Sequence, residues 1–184
     1  MLLTHIHYDH VGGLDDLRPY CRFGEINVYA DDHTADGLMR AIPYCFAEHR
    51  YPGVPAIHLN RIKPHVPLTI GDIEVQPFTV MHGNMPILAF RMGRLTYITD
   101  MKTIDDSELP LLQETGTLVV NALRYAPSHH SHQTVDEAVS FARRIGARRT
   151  LLTHMCHDVG LHWQVNAELP SDIQLAYDGM VLDI

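Results

Sequence analysis

The segment Thr4–Gly13 places four potential metal ligands within six positions, and it follows three apolar residues. Side chains alternate across a strand, so His5 and His7 project to the same side if a strand ends near His5. Neutral imidazole is the commonest metal ligand, and a turn at Asp9 and His10 can add two more ligands. The spacing therefore predicts a metal site rather than an exposed loop of unrelated histidines.

A second histidine cluster stands just before a predicted helix at Val135–Ile145. Thr134 and Glu137 have the spacing of a capping box at the start of that helix. The positive end of the helix dipole favours an oxyanion there. We therefore expect a catalytic histidine close by, and His132 is the first candidate and His130 the second. A surface loop without chemistry remains the alternative for at least one member of the cluster. Its members are His129, His130 and His132.

Short apolar and β-branched runs, each bounded by Gly, Pro, Asp or Asn, predict a protein with many strands. Strands are predicted at Ile26–Ala30, Ile73–Val80, Ile87–Met92, Leu95–Thr99, Thr117–Val120 and Thr150–Thr153, and at Gln174–Ala176 with Met180–Leu182. Helices are predicted at Leu14–Tyr20, Thr34–Phe46, Ile104–Gln113, Val135–Ile145 and Leu161–Leu169. Because strands and helices alternate without an internal repeat or linker, we expect one layered α/β domain over residues 1–184.

Composition excludes several classes of protein. Hydrophobic residues make up 46% of the 184 residues and charged residues 20%, which is typical of a globular chain and not of a disordered one. The net charge is −8, with 14 Lys and Arg against 22 Asp and Glu. Binding to a nucleic-acid backbone needs a basic surface, so a nucleic-acid partner is disfavoured.

The chain is expected to be cytoplasmic and to have no membrane partner. No apolar run approaches the roughly 18 residues needed to cross a bilayer. The three cysteines are odd in number and show no C-x-x-C spacing, which favours reduced thiols over disulfides. They are Cys21, Cys45 and Cys156.

The His-x-His-x-Asp-His run at residues 5–10 resembles the signature of the metallo-β-lactamase superfamily. The resemblance implies an α/β (α+β) fold, the αββα four-layer sandwich, with metal ions between the sheets at one edge. It also implies three later ligands, each following a strand. Their candidates are His82 in Val-Met-His-Gly, Asp100 at the end of Leu-Thr-Tyr-Ile-Thr-Asp, and His154 at the end of Leu-Leu-Thr-His.

By this resemblance the chain holds two divalent metal ions, zinc first and manganese second. Asp100 would bridge the two ions. His157 competes with His154 for the last position, and the strand-end context favours His154. The implied ligands are His5, His7 and His82 for one ion, Asp9, His10 and His154 for the other, and Asp100 for both.

A narrower likeness is to phosphodiesterases of the PhnP type, which hydrolyse cyclic phosphates. It is carried by the approach His130-Ser131-His132 to the capped helix and by Leu152–Asp158, which reads Leu-Thr-His-Met-Cys-His-Asp. It implies hydrolysis of a small, cyclic phosphodiester by hydroxide held between the two ions. His132 would protonate the departing alkoxide, with Asp9 and His130 as the other catalytic candidates.

Three alternatives stay open. The same metal centre could hydrolyse a thioester or a lactam. A tRNA-processing nuclease is a second alternative, which the net negative charge of the chain disfavours. Relatives also carry strands ahead of the first motif, which here begins at His5. We therefore expect a domain shortened at its amino end, either an active enzyme or an inactive metal-binding remnant, with exposed sheet edges that a homodimer would cover.

Overall fold

The computed structural model describes residues 1–183, and the chain divides into two compact units, Met1–Val66 and Pro67 onward. Each unit has a hydrophobic core of its own. The mixed α/β class predicted from the sequence is confirmed, whereas a single domain over residues 1–184 stays a prediction. Within residues 1–183, no helix combines the length and the apolar character needed to cross a membrane.

The first unit is built on two parallel strands, β1 (Ile26–Ala30) and β2 (Ile57–Arg61). The apolar start of the chain runs beside β1, where the Leu3 N–H donates to the Tyr29 carbonyl at 2.9 Å. The Tyr29 N–H donates in turn to the Met1 carbonyl, also at 2.9 Å. The histidine-rich segment therefore begins where this extended stretch leaves β1.

Short helices complete the first unit, and one differs from its prediction. They are α1 (Tyr8–Val11), a 3₁₀ segment at Gly12–Phe23, α2 (Asp32–Ala41) and a 3₁₀ turn at Pro43–Cys45. The helix predicted over Thr34–Phe46 ends at Ala41, because Pro43 disfavours a helical backbone at Ile42. Asp31 begins α2 by accepting the Thr34 N–H at 2.8 Å.

The second unit contains a sheet of seven strands in sequence order. They are β3 (Leu68–Ile70), β4 (Ile73–His82), β5 (Met85–Met92), β6 (Leu95–Ile98), β7 (Thr117–Asn121), β8 (Arg149–Thr153) and β9 (Ile173–Leu175). Pairing is antiparallel from β3 to β6 and parallel from β6 to β9. Strands β4, β6, β7 and β8 therefore all point the same way, and their carboxyl ends meet at one edge of the sheet.

Helical segments connect the parallel strands. They are a 3₁₀ segment at Asp106–Leu112, α3 (Val135–Ile145), a 3₁₀ turn at His157–Val159 and α4 (His162–Glu168). Helix α3 has its predicted bounds and capping box: the Glu137 N–H donates to Thr134 Oγ1 at 3.2 Å, and the Thr134 N–H donates to Glu137 Oε2 at 2.8 Å. It ends at Gly146, whose φ of 68° suits the left-handed cap that glycine tolerates.

The strand predictions fail at three places. Residues 180–182 form no strand, and β9 is limited to Ile173–Leu175. Strands β2 and β3 were not predicted, since β2 carries His58, Asn60 and Arg61 and β3 is only three residues long. Such short or polar strands form because a neighbour supplies hydrogen bonds, which a local pattern does not report.

We expect Gly37→Ala to destabilise the chain. Gly37 lies inside α2, and an added Cβ would stand 2.4 Å from Cγ1 of Ile6, the residue between His5 and His7. Overpacking costs about 1–3 kcal/mol, which outweighs the gain of about 1 kcal/mol in helix propensity. Urea unfolding measures the free energy directly. Gly13→Ala is the control, because its Cβ would meet nothing within 4 Å; equal stability of the two variants would contradict the prediction.

Candidate metal centre

Three imidazoles of the first unit lie close together. The His5 ring is buried, and its centroid is 4.6 Å from that of His7 and 4.2 Å from that of His10. Thr4 Oγ1 lies 3.1 Å from His5 Nδ1, and His10 Nε2 lies 3.4 Å from Asp9 Oδ2. We call His5, His7, Asp9 and His10 the amino-terminal cluster.

Local structure explains why these side chains meet. Helix α1 begins at Tyr8, and its first turn brings the His10 N–H to 3.0 Å from the His7 carbonyl. Gly12 leaves room for the exposed Tyr8 ring, since a Cβ there would come within 2.9 Å of the ring. A tight turn directly after an extended stretch therefore folds the motif back on itself.

A second group of ligands lies at the sheet edge of the other unit. His82 is the last residue of β4, Asp100 follows β6 by two residues, and His154 directly follows β8. His132 approaches from the loop that leads into α3. His82, Asp100 and His132 each offer one ligand atom, and these atoms all lie within 4.8 Å of one another. We call His82, Asp100, His132 and His154 the sheet-edge cluster.

The Asp100 carboxylate is at the centre of this cluster. Its Oδ1 is 2.8 Å from His132 Nε2 and 3.1 Å from His154 Nε2. Its Oδ2 accepts a hydrogen bond from the Thr99 hydroxyl at 2.8 Å. The residue is only 1% exposed. A carboxylate removed from water in this way requires hydrogen-bond donors or cations around it.

The tautomer of His82 is set by backbone groups. Its Nδ1 lies 2.7 Å from the Asp100 carbonyl and 3.0 Å from the Ser131 carbonyl, and both can only accept, so Nδ1 carries the proton. Burial lowers the pKa of His82, which favours the neutral ring. His82 therefore has an unprotonated Nε2, the form that binds a metal ion.

Two candidate ligands adopt an unusual backbone conformation. Asp100 has a φ of 54° and His154 a φ of 57°, in the left-handed region that residues other than glycine seldom enter. Such strain persists only where surrounding structure fixes it, and it concentrates at functional sites. Both residues lie just beyond parallel strands at the same sheet edge.

Asn121 is a residue that the sequence reasoning missed. Its side chain is fully buried; Oδ1 accepts the Met101 N–H at 2.7 Å and Nδ2 donates to the Met101 carbonyl at 3.0 Å. These bonds hold the backbone that follows Asp100. The sequence feature that could have indicated Asn121 is its position as a polar residue at the end of the apolar strand β7.

The loop carrying the second histidine cluster also depends on close packing. Gly83, with a φ of 61°, follows His82, and a Cβ on it would stand 3.3 Å from Ser131 Cβ. Gly83 therefore allows this loop to lie against the end of β4. Neither Gly83 nor Ser131 was singled out as a site residue from the sequence.

The structure gives different surroundings to His154 and His157, the two candidates for the last ligand. His154 contacts Asp100, whereas the His157 side chain is 92% exposed and lies 3.3 Å from Asp158. The structure also gives different contacts to His132 and His130. His132 reaches Asp100, whereas His130 is exposed and its ring packs on His129 at 4.4 Å.

The start of α3 is largely satisfied by the protein itself. The Val135 N–H donates to the Arg124 carbonyl at 2.9 Å, and the Glu137 N–H is bound to Thr134. Burial opposes ionisation of Glu137, but Lys102 Nζ at 2.8 Å, together with Thr134, holds the pKa of the carboxyl below its usual value. A carboxylate thus already occupies the positive end of the helix, which leaves His132 as the better partner for an oxyanion.

The chemistry of the donors fits a divalent ion. Imidazole nitrogens and carboxylate oxygens are ligands that Zn²⁺ and Mn²⁺ both accept. His82 presents an unprotonated Nε2, and a buried carboxylate lies beside it. His82 and Asp100 therefore have the donor types and the proximity that metal binding requires, and His82 also has the protonation state.

Comparison with known proteins agrees with this chemistry. The family model described as a β-lactamase superfamily domain matches residues 1–155. A solved diphosphatase from the PhnP family is 33% identical, with a TM-score of 0.87 over 97% of this chain and 68% of that one. Zinc-bound PqqB from Methylobacterium extorquens shares the fold, with a TM-score of 0.76 at 16% identity over 100% of this chain and 72% of that one.

A curated relative is similar in sequence but much longer. The octanoyltransferase of Porphyromonas gingivalis (strain ATCC BAA-308 / W83) is 40% identical over 180 residues, which cover 98% of this chain and 37% of that protein. The chain thus spans about a third of the length of that relative. Together with the family match, these similarities confirm the fold family that the sequence motifs indicate.

We expect His154→Ala to lose bound metal and His157→Ala to keep it. His154 Nε2 lies 3.1 Å from Asp100 Oδ1, whereas the His157 ring lies against Asp158, and an ion held by few protein ligands does not tolerate the loss of one. Elemental analysis after dialysis against metal-free buffer should show a loss of roughly one ion per chain for His154→Ala. A loss in the His157 variant with retention in the His154 variant would reverse the assignment.

We expect Asn121→Ala to reduce both stability and metal affinity. The change leaves the buried Met101 N–H without the acceptor that Asn121 supplies, which costs about 1–3 kcal/mol, whereas the Met101 carbonyl keeps the Gln133 N–H at 3.1 Å. Urea unfolding and metal titration measure the two effects. Asn27→Ala, at an exposed position of β1, is the control and should remain within about 0.5 kcal/mol of the parent. Unchanged stability of the Asn121 variant would refute the role assigned to this side chain.

Proposed function

The chain belongs to the metallo-β-lactamase superfamily of hydrolases, and within it we propose a metal-dependent phosphodiesterase that acts on a small, cyclic phosphodiester. The observation that carries this proposal is the position of His132, whose Nε2 lies 2.8 Å from Oδ1 of the buried Asp100. Cleavage of an alkyl phosphodiester releases an alkoxide that must gain a proton. A histidine beside the candidate ligand set can supply that proton.

We propose that the chain holds two divalent ions, zinc first and manganese second, through the ligands that the sequence motifs imply. Bound ions would lower the pKa of coordinated water and stabilise negative charge on the phosphoryl oxygens. The support is the grouping of ligands within each cluster and the similarity to a zinc-bound protein of the same fold. The ligands are those implied by the sequence motifs, namely His5, His7, Asp9, His10, His82, Asp100 and His154.

The side chains of the sheet-edge cluster have separate roles. His82 binds through Nε2, since its Nδ1 proton is held by two carbonyl groups. Asp100 is oriented by the Thr99 hydroxyl and by the backbone that Asn121 fixes. His132 holds a proton at Nε2 and transfers it to the departing oxygen. His130 is exposed and packs on His129, so we assign it no proton-transfer role.

The net charge of the chain favours a small substrate over a polyanion. With a net charge of −8, the chain repels a polyanion such as RNA, whereas a small phosphodiester carries a single charge. The similarity to a diphosphatase supports chemistry at phosphorus and makes a diphosphate the neighbouring substrate class to compare.

Hydrolysis of an acyl thioester is the second candidate function. The observation that favours it is the 40% identity to an octanoyltransferase, a protein named for an acyl group. Because the chain corresponds to 37% of that protein, the named activity is weaker support than the chemistry around His132.

An assay of the purified, metal-loaded chain separates these functions. We expect turnover of bis-p-nitrophenyl phosphate and of a 2′,3′-cyclic nucleotide, and less turnover of a nucleoside diphosphate or an octanoyl thioester. Activity on the thioester without activity on either phosphodiester would overturn the proposal in favour of acyl chemistry. Bound metal without turnover of any of these substrates would indicate an inactive metal-binding protein.

His132→Ala tests the proton donor. We expect turnover of the cyclic nucleotide to fall about 10²-fold, the size of a general-acid contribution, with metal content unchanged. Elemental analysis accompanies the kinetics. Parental turnover in this variant would remove the assigned role, and a loss of metal would make His132 a ligand instead of a proton donor.

A further inference from the structure

The loop before α3 contains a fixed hydrogen-bond acceptor. His129 Nδ1 lies 3.3 Å from the Ser131 backbone nitrogen, whose N–H can only donate. His129 Nδ1 must therefore be unprotonated. Ser131 Oγ is 3.2 Å from the same atom and 3.1 Å from His132 Nδ1, so the hydroxyl lies between the two rings.

This acceptor faces His132. The Nδ1 atoms of His129 and His132 are 3.0 Å apart, a hydrogen-bond distance that requires one proton between them. Because His129 Nδ1 is unprotonated, the proton between the two rings belongs to His132 Nδ1, and the single lone pair of His129 Nδ1 is shared between this contact and the longer one from the Ser131 amide. Nε2 of His132 is then the nitrogen that faces Asp100, at 2.8 Å, and is the one able to exchange a proton.

The surrounding rings confine His132, but its rotation is fixed by the polar contacts of its ring nitrogens. His82 packs edge-on at 4.7 Å and His154 stacks at 5.1 Å with an interplanar angle of 18°. Ring contacts of this kind do not distinguish Nδ1 from Nε2. The shorter contact with His129, together with that from Ser131 Oγ, does so, because both partners lie on the Nδ1 side of the ring and Asp100 lies on the Nε2 side.

We propose that His129 is a positioning residue for His132. It accepts the Nδ1 proton of His132 and so fixes the orientation of the ring, with the Nε2 proton directed to the Asp100 carboxylate. A third group that orients a histidine in this way is a general device of acid–base catalysis. The consequence for catalysis rests on the proposed phosphodiesterase function, whereas the hydrogen bond itself does not.

Leaving-group dependence tests the catalytic consequence. A p-nitrophenolate departs without a proton, whereas the alkoxide of a 2′,3′-cyclic nucleotide needs one. We expect His129→Ala to lower kcat for the cyclic nucleotide by at least about tenfold and kcat for bis-p-nitrophenyl phosphate by less than about twofold. KM should change little for either substrate. An equal loss on both substrates would indicate a merely structural role and overturn the proposal.

Two further variants sharpen the comparison. Asn at position 129 places an amide oxygen close to where His129 Nδ1 lies, so His129→Asn should restore most of the turnover of the cyclic nucleotide. Ser128→Ala changes an exposed neighbour and should match the parent on both substrates. Failure of His129→Asn to exceed His129→Ala would contradict the role of an acceptor at this position.

Nuclear magnetic resonance tests the hydrogen bond without any turnover. Long-range ¹H–¹⁵N spectra of the zinc-reconstituted chain report which ring nitrogens carry protons, and the His129 and His132 variants assign the signals. We expect an unprotonated His129 Nδ1, a protonated His132 Nδ1, and a changed His132 signal in His129→Ala. If the parent hydrolyses no phosphodiester, the proposed function fails and these spectra still decide the inference. The inference would be overturned by an unprotonated His132 Nδ1, or by a His132 signal that is the same in the parent and in His129→Ala.

Discussion

The burial of the Asp100 carboxylate is the constraint on which the sheet-edge cluster depends. A charge with 1% exposure costs several kcal/mol unless partners compensate for its lost water. Thr99, His132 and His154 supply donors at 2.8–3.1 Å. Imidazoles around a buried carboxylate also form a ligand set for a divalent ion, so the groups that stabilise the charge are those that prepare the site.

The sheet edge supplies the precision that such a site needs. Strands β4, β6 and β8 end together and deliver His82, Asp100 and His154 from three separate parts of the chain. The left-handed backbone at Asp100 and His154 is unfavourable by itself, so surrounding interactions must offset its cost. The hydrogen bonds from the Asn121 side chain to the Met101 backbone are one such interaction. Rigid strands and strained turns thus act together to place the ligands.

The fold by itself does not decide the reaction, because one fold hosts many different activities. A PhnP-family diphosphatase and an octanoyltransferase are both similar to this chain. What can discriminate among reactions is the loop before α3, where His129, Ser131 and His132 form a hydrogen-bonded chain that ends at Asp100. Proton supply matters most for an alkoxide leaving group, and this loop is therefore the natural place for substrate preference to arise.

The sequence by itself determined the features that local spacing encodes. The His5–His10 motif, the capping box of α3 and the central strands follow from periodicity and from residue types a few positions apart. Tertiary structure decided the rest, because the contacts join distant positions. Asn121 holds Met101 twenty residues away, and His132 meets Asp100 across thirty-two. Whether His129 or His130 contacts His132 depends on ring directions set by the path of the loop, which no local pattern specifies.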